Sequence, residues 1–170
     1  AEVTFLLDQT DPTVTITVPY DGYQSDDGEV HAMWMADDEL SGLDHVEVSL
    51  DGESWTDVGL ATDHVFSDVP DGALTVRVRA FDIAGNTFTA TALGLVDTVA
   101  PLLGATCADD GQIVNHTTAS IELEFFDATS GVEEIRIRID GGAWVGISPA
   151  SVWVSEALTD GYHTFEIKAV

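Results

Sequence analysis

The sequence predicts an all-β chain of two tandem β-sandwiches, the second lacking its last strand. Three observations predict it. Landmarks recur at one fixed spacing of 89 residues. Segments between the landmarks alternate apolar and polar residues. Asp-Gly and Ser-Gly dipeptides, both turn formers, punctuate those segments. The recurrence holds without a gap: Asp8 and Pro12 return as Asp97 and Pro101, and Asp21-Gly22 returns as Asp110-Gly111. Ser41-Gly42, Asp51-Gly52, Trp55 and Asp71-Gly72 return as Ser130-Gly131, Asp140-Gly141, Trp144 and Asp160-Gly161. Unrelated segments do not hold register over such a length, so the chain is an internal repeat.

Taken in order, a first strand is predicted over about 13–18. Val30, Ala32, Trp34 and Ala36 alternate on the next, with Ala119, Ile121, Leu123 and Phe125 as counterparts. Val46, Val48 and Leu50 alternate on a third, matched by Ile135, Ile137 and Ile139. A short strand is placed near 64–67. Leu74, Val76, Val78 and Ala80 alternate on a fifth, matched by His163, Phe165, Ile167 and Ala169. A last strand falls near 86–94. Side chains with period two place one set on a buried face and the other in water, and no stretch has a helical period. A unit of this size and strand order fits an immunoglobulin-like sandwich. The boundaries follow: residues 8–96 form repeat one and 97–170 repeat two, which stops before its last strand. Residues 1–7, with Ala1, Val3 and Phe5 alternating, stand where the end of such a strand belongs and are expected to complete a preceding or neighbouring repeat.

Charge is the extreme feature of the composition. Asp and Glu number 31 against 5 Lys and Arg, a formal net charge of -26. Such a surface repels nucleic-acid phosphates and anionic membranes and attracts cations. No apolar run reaches the roughly 18 residues of a membrane helix. The acidity fits Ca²⁺ held in loops, a surface solvated for high salt, or charge kept for solubility. The single Cys107 forms no internal disulfide and reads as a small buried apolar residue.

Catalytic and cofactor motifs are absent: no nucleophile elbow, phosphate-binding glycine loop, paired-cysteine zinc motif or His-Glu-x-x-His. Of the five histidines, His163 alone falls on an inward position, while His31, His45, His64 and His116 read as surface or loop residues. The carboxylates lie on turns and outward faces, unlike a glycosidase pair facing across a cleft. Trp55 and Trp144 are expected to cap the ends of their own cores, because recurring apolar positions mark core. If exposed, they would form a sugar-stacking pair instead. Asn115-His116-Thr117 is an N-glycosylation sequon in the connection after the first strand of repeat two.

The opening Asp-x-x-x-x-Pro, the stretch Ser41-Gly42-Leu43-Asp44-His45-Val46-Glu47-Val48, Asp-Gly-x-x-Trp, and Asp82-Ile83-Ala84-Gly85-Asn86 together resemble the tandem immunoglobulin-like domains of bacterial and archaeal surface or secreted proteins. The resemblance implies an extracellular or cell-surface location and a non-catalytic role: an array acting as stalk, adhesin shaft or filament, joined head to tail to further copies. Its alternative is a carbohydrate-binding accessory module of a secreted enzyme, with glycans as partners.

Two residue-level expectations follow. All five basic residues, Arg77, Arg79, Arg136, Arg138 and Lys168, lie on the third and fifth strands, facing away from the core. Glu47 becomes Arg136 in repeat two while Arg77 becomes Glu166, so both change sign together. This predicts that Glu47 faces Arg77, Arg136 faces Glu166 and Glu134 faces Lys168 on neighbouring antiparallel strands. The loop oxygens predict cation sites. Asp8, Asp11, Asp38, Asp82 and Asn86 converge at one end of repeat one. Asp97 and Asp127 take the corresponding places for repeat two, near Asp21 and Asp71 of the first repeat. Ca²⁺ is the expected ion, since it accepts 6–8 oxygens in irregular geometry.

Overall fold

The computed structural model describes residues 2–170; Ala1, the first position of the predicted leading alternation, lies outside the described residues. The chain is all β and divides into two units, one ending at Thr98 and the other spanning Val99–Val170. The first unit runs two residues past the predicted boundary. The backbone N–H of Asp97 donates to the Ser25 carbonyl at 2.9 Å, and the N–H and hydroxyl of Thr98 both donate to Asp71 Oδ1 at 3.0 Å.

The first unit holds β1 (Thr13–Val18), β2 (Gln24–Ser25), β3 (Val30–Asp37), β4 (Leu43–Ser49), β5 (Thr56–Gly59), β6 (Asp63–Phe66), β7 (Gly72–Asp82) and β8 (Thr87–Val96). One sheet has the order β1-β3-β6 and the other β2-β8-β7-β4-β5, with β2 joining β8 in parallel and the other pairs antiparallel. Their inward residues close one core: Val14, Val30, Ala32, Trp34, Val46, Val48, Val69, Val76, Val78, Ala80 and Val96. The period-two pattern placed most of these correctly, because alternate residues on a strand share a face. The short β2 and β5 carry too few apolar residues to announce themselves in sequence.

The second unit contains β9 (Leu102–Cys107), β10 (Ser120–Phe126), β11 (Ile135–Ile139), β12 (Val145–Ile147), β13 (Val152–Val154) and β14 (Phe165–Ala169). Its sheets are β9-β10-β13 and β12-β11-β14. Ile121, Leu123, Ile135 and Ile137 are buried, flanked by half-buried Leu103, Phe125, Trp153, Phe165 and Ile167. β14 is an end strand of its sheet. Cys107 is half-buried against this core rather than fully enclosed. Residues 2–7 form no strand, and Val3, Phe5, Leu6 and Leu7 are exposed.

The strands predicted third and fifth are β4 and β7, matched by β11 and β14, and they are sheet neighbours as expected, but the predicted register is two residues out. Glu47 faces Arg79, and Arg77 faces Ser49. In the second unit Arg136 faces Lys168 and Arg138 faces Glu166. The predicted pairs Glu47–Arg77, Arg136–Glu166 and Glu134–Lys168 are therefore not formed. The inward residues follow the same register: Val46 meets Ala80 and Val48 meets Val78, as Ile137 meets Ile167 and Ile139 meets Phe165. A slip of two residues keeps every side chain on its own face, so the sign reversal between repeats fits this register as well as the predicted one. Opposite charges still face each other, as Glu47 with Arg79 and Arg138 with Glu166. The like-charged Arg136 and Lys168 diverge: Arg136 turns to Glu134 on its own side, and Lys168 moves over an indole ring.

Candidate cation site

The segment leading into β1 is fastened by two buried residues, Asp8 and Pro12. Asp8 Oδ1 accepts the Thr10 N–H at 2.9 Å. That hydrogen bond, followed by the Ser41 hydroxyl, holds the Asp8 carboxyl below the usual aspartate range. The β3–β4 loop supplies Asp38. Its Oδ1 accepts the N–H groups of Leu40, Ser41 and Gly42 at 3.2, 2.8 and 2.8 Å, so the carboxylate caps its own turn. Gly42 takes a φ of +82° there, a conformation that costs glycine little. Asp82 closes β7 and is 2% exposed. Its Oδ1 accepts the Asn86 N–H at 2.8 Å, and its Oδ2 accepts Asn86 Nδ2 at 2.7 Å. Asn86 Nδ2 also reaches the Asp8 carbonyl at 3.4 Å.

Asp8, Asp38 and Asp82 each place a carboxylate oxygen within 4.8 Å of the other two. Asn86 sits beside them as a positioning group. Asp11, the fifth residue predicted for this site, is exposed and outside the cluster. Asp11 immediately precedes buried Pro12 and offers its carboxylate to water. Of the residues assigned to repeat two, Asp127 caps its own loop, its Oδ1 accepting the N–H groups of Thr129, Ser130 and Gly131 at 3.0 Å. Those N–H groups, Thr129 foremost, hold its carboxyl low. Asp97 is tied to the first unit through its backbone. Asn115 is exposed between β9 and β10, where the sequon was expected.

The tryptophans do not cap the cores. Trp55 lies on the outer face of the first unit's larger sheet. The Arg79 guanidinium sits 4.0 Å from its ring centre, and its indole N–H donates to the Gly52 carbonyl at 3.1 Å. Trp144 is placed likewise, with Arg138 at 4.7 Å and Lys168 at 4.8 Å. Both belong to no core cluster. The signal that would have found this is the turn itself. Asp51-Gly52 and Asp140-Gly141 reverse the chain at the sheet edge, which swings the following Trp onto the outer face beside the only basic residues. Arg79 completes its stack by pairing with Glu47 Oε2 at 2.5 Å. Arg138 grips Glu166 through two hydrogen bonds of 2.9 and 2.6 Å, which lowers the glutamate's pKa. Each indole thus has cations against it, unlike a bare sugar-stacking platform.

His64 departs from its expected surface place: it shares the inner side of β6 with Phe66, edge-on at 4.7 Å. His45 stays on the strand surface as expected, stacked on Phe81 at 4.2 Å. His163, expected inside, stands before β14, with its ring nitrogens bonded to the Thr159 carbonyl and Asp140 Oδ2 at 2.7 and 2.8 Å. Those two acceptors raise its pKa above the ordinary value.

Among solved structures, the chain is similar to the fibronectin(III)-like modules of CbhA from Clostridium thermocellum, with a TM-score of 0.58, 17% identity, and coverage of 92% of this chain and 85% of that one. The fold is a fibronectin-III-like or immunoglobulin-like β-sandwich, present twice. A 1.5-MDa bacterial ice-binding adhesin is also matched, at a TM-score of 0.40 and 15% identity, over 87% of this chain and 54% of that chain. No protein-family model and no curated protein matches the sequence.

Proposed function

We propose that this chain is a non-catalytic structural segment of an extracellular array of immunoglobulin-like repeats, serving as a stalk, adhesin shaft or filament, joined head to tail to neighbouring repeats and stiffened by Ca²⁺ at the repeat ends. One observation carries the reading: the 89-residue recurrence corresponds to two sandwich units of matching strand order, separated only by residues 97–101 between β8 and β9. A repeat whose contacts lie mainly within itself is suited to stacking in one dimension. The likeness to fibronectin(III)-like modules supports the same reading at the level of fold. The net charge of -26 supports a solvent-exposed surface facing ions rather than nucleic acid.

The test is to join the chain to itself in two, three and four copies and measure maximum dimension by small-angle scattering. The array reading expects a constant increment per copy. A dimension that levels off as copies are added, as in a globular assembly, overturns it. Antibodies to the chain should also label unpermeabilised cells of its source. Labelling only after permeabilisation overturns the extracellular placement.

A further inference from the structure

We infer that Asp8, Asp38 and Asp82 form a Ca²⁺ site wholly within the first unit, whose ion locks the segment leading into β1 onto the loop end of that unit. The inference rests on the array reading only for its role; the site itself stands on side-chain geometry. Three oxygens from three separate elements lie within 4.8 Å of one another. Ca²⁺ holds oxygen at about 2.3–2.6 Å, so two ligands of one ion sit no further apart than roughly 4.6–5.2 Å, and the three oxygens lie close enough together to share one. The three carboxylates come from a leading segment, a loop and a strand end, an irregular set that suits Ca²⁺ better than the strict octahedron of Mg²⁺.

A second observation points to a ligand independently of the clustering. Asp8 is 9% exposed, and its Oδ2 is buried without a hydrogen-bond partner. A buried, unpaired carboxylate oxygen is costly, and a cation offsets that cost directly. Among the described residues no Lys or Arg side chain does so. Arg77 donates to the Leu50 and Thr75 carbonyls, Arg79 pairs with Glu47, Arg136 with Glu134 and Arg138 with Glu166, while Lys168 lies over Trp144. Four other oxygens of the cluster are already arranged. Thr10, the Asp38 turn and Asn86 hold Asp8 Oδ1, Asp38 Oδ1 and both oxygens of Asp82. The positions are therefore fixed before an ion arrives, and Asp8 Oδ2 supplies the oxygen whose need is unmet.

The consequence is local. Asp8 is the only member of the cluster that precedes β1, so the ion ties residues 8–12 to Asp38 and Asp82 and sets where residues 2–7 leave the unit. Calorimetric titration of the chelator-stripped chain with CaCl₂ at fixed ionic strength tests this, with MgCl₂ as control. A saturable Ca²⁺ site is expected, weakened at least tenfold by Asp8→Asn and unchanged by Asp63→Asn, an exposed carboxylate away from the cluster. Asp8→Asn keeps an oxygen for the Thr10 N–H, so it should fold. Without Ca²⁺ it should melt at or above the wild type, because it removes one of three crowded charges. With saturating Ca²⁺ the order should reverse, and exchange of the Thr10 amide should slow at least tenfold in the wild type only. No saturable heat, equal binding by Asp8→Asn, or the same response to Mg²⁺ at equal ionic strength overturns the inference. Constant increments in scattering under chelator, together with no Ca²⁺ binding, would remove the ion and leave the array standing.

Discussion

Arg79 gives the sharpest test of how surface charge and core share control of this fold. It lies between Glu47, at 2.5 Å, and the ring of Trp55, at 4.0 Å, with Phe81 further off at 5.1 Å. The side chains of Arg79 and Glu47 are 31% and 21% exposed, so the pair is neither buried nor fully screened. An ion pair of this kind contributes about 0.2–1 kcal/mol, and an exposed cation–π contact about 0.5–1 kcal/mol. Arg79→Met should therefore destabilise the first unit by about 1–2 kcal/mol. The decisive measurement is a double-mutant cycle by urea denaturation, combining Glu47→Gln with either Arg79→Met or Arg77→Met. The coupling with Arg79 should be about 0.5–1 kcal/mol and should shrink in about 1 M salt, where the screening length falls to roughly 3 Å. The coupling with Arg77 should vanish within error, since Arg77 faces Ser49 and bonds to backbone carbonyls. A larger coupling to Arg77 than to Arg79 would refute the register that sets Glu47 opposite Arg79.

Val78→Ala removes two carbons from a side chain with no exposure. At about 0.8 kcal/mol per methylene plus a cavity contribution, it should destabilise the first unit by about 2–3 kcal/mol in urea melts. The carboxyls of Asp8, Asp27, Asp51, Asp127 and Asp140 are all held below the ordinary value of 3.8 by hydrogen bonds, first of all from backbone N–H groups. Their contribution is complete above pH 3.8 and is lost as pH falls through the lower folded values, so melting temperature should drop across that acid range, and less so in Asp51→Asn. His163 works in the opposite sense. Its pKa is raised from 6.5, so its contribution is complete below that value and is lost as pH rises through the folded one; His163→Gln should flatten that part of the melting profile. Cys107, half-buried against the second core, should react with a disulfide reagent at least tenfold faster in urea than in buffer.

The fold was legible because its signals are periodic and doubled. Alternation in Val30–Ala36 and Leu74–Ala80 marks inward faces directly, and the repeat confirms these strands by a second copy. The register was not legible from charge. Glu47, Arg77 and Arg79 all point outward, and reversal of sign between repeats cannot tell a facing residue from one two positions away. The acidic cluster was partly legible. Asp8, Asp38 and Asp82 converge because loops at one end of a sandwich converge. Asp11 lies only three residues beyond Asp8 yet is exposed, a difference in backbone course that no pattern announces. Trp55 and Trp144 were misplaced because recurrence marks any constrained position, and here the constraint is a cation on the outer face.

That outer face has a consequence for how such repeats diverge. The ring of Trp55 meets Arg79, from β7. The ring of Trp144 meets Lys168, which is Arg79's counterpart, but also Arg138, which comes from the opposing strand where the first repeat has Ser49. An indole presents the same electron-rich face to a cation whichever strand delivers it. The tryptophan is thus an anchorage open to two suppliers, and a lineage can install a basic residue on one strand before losing it from the other. Sign changes along these strands can accumulate as near-neutral steps, leaving the two copies alike in architecture while their surface charges drift apart.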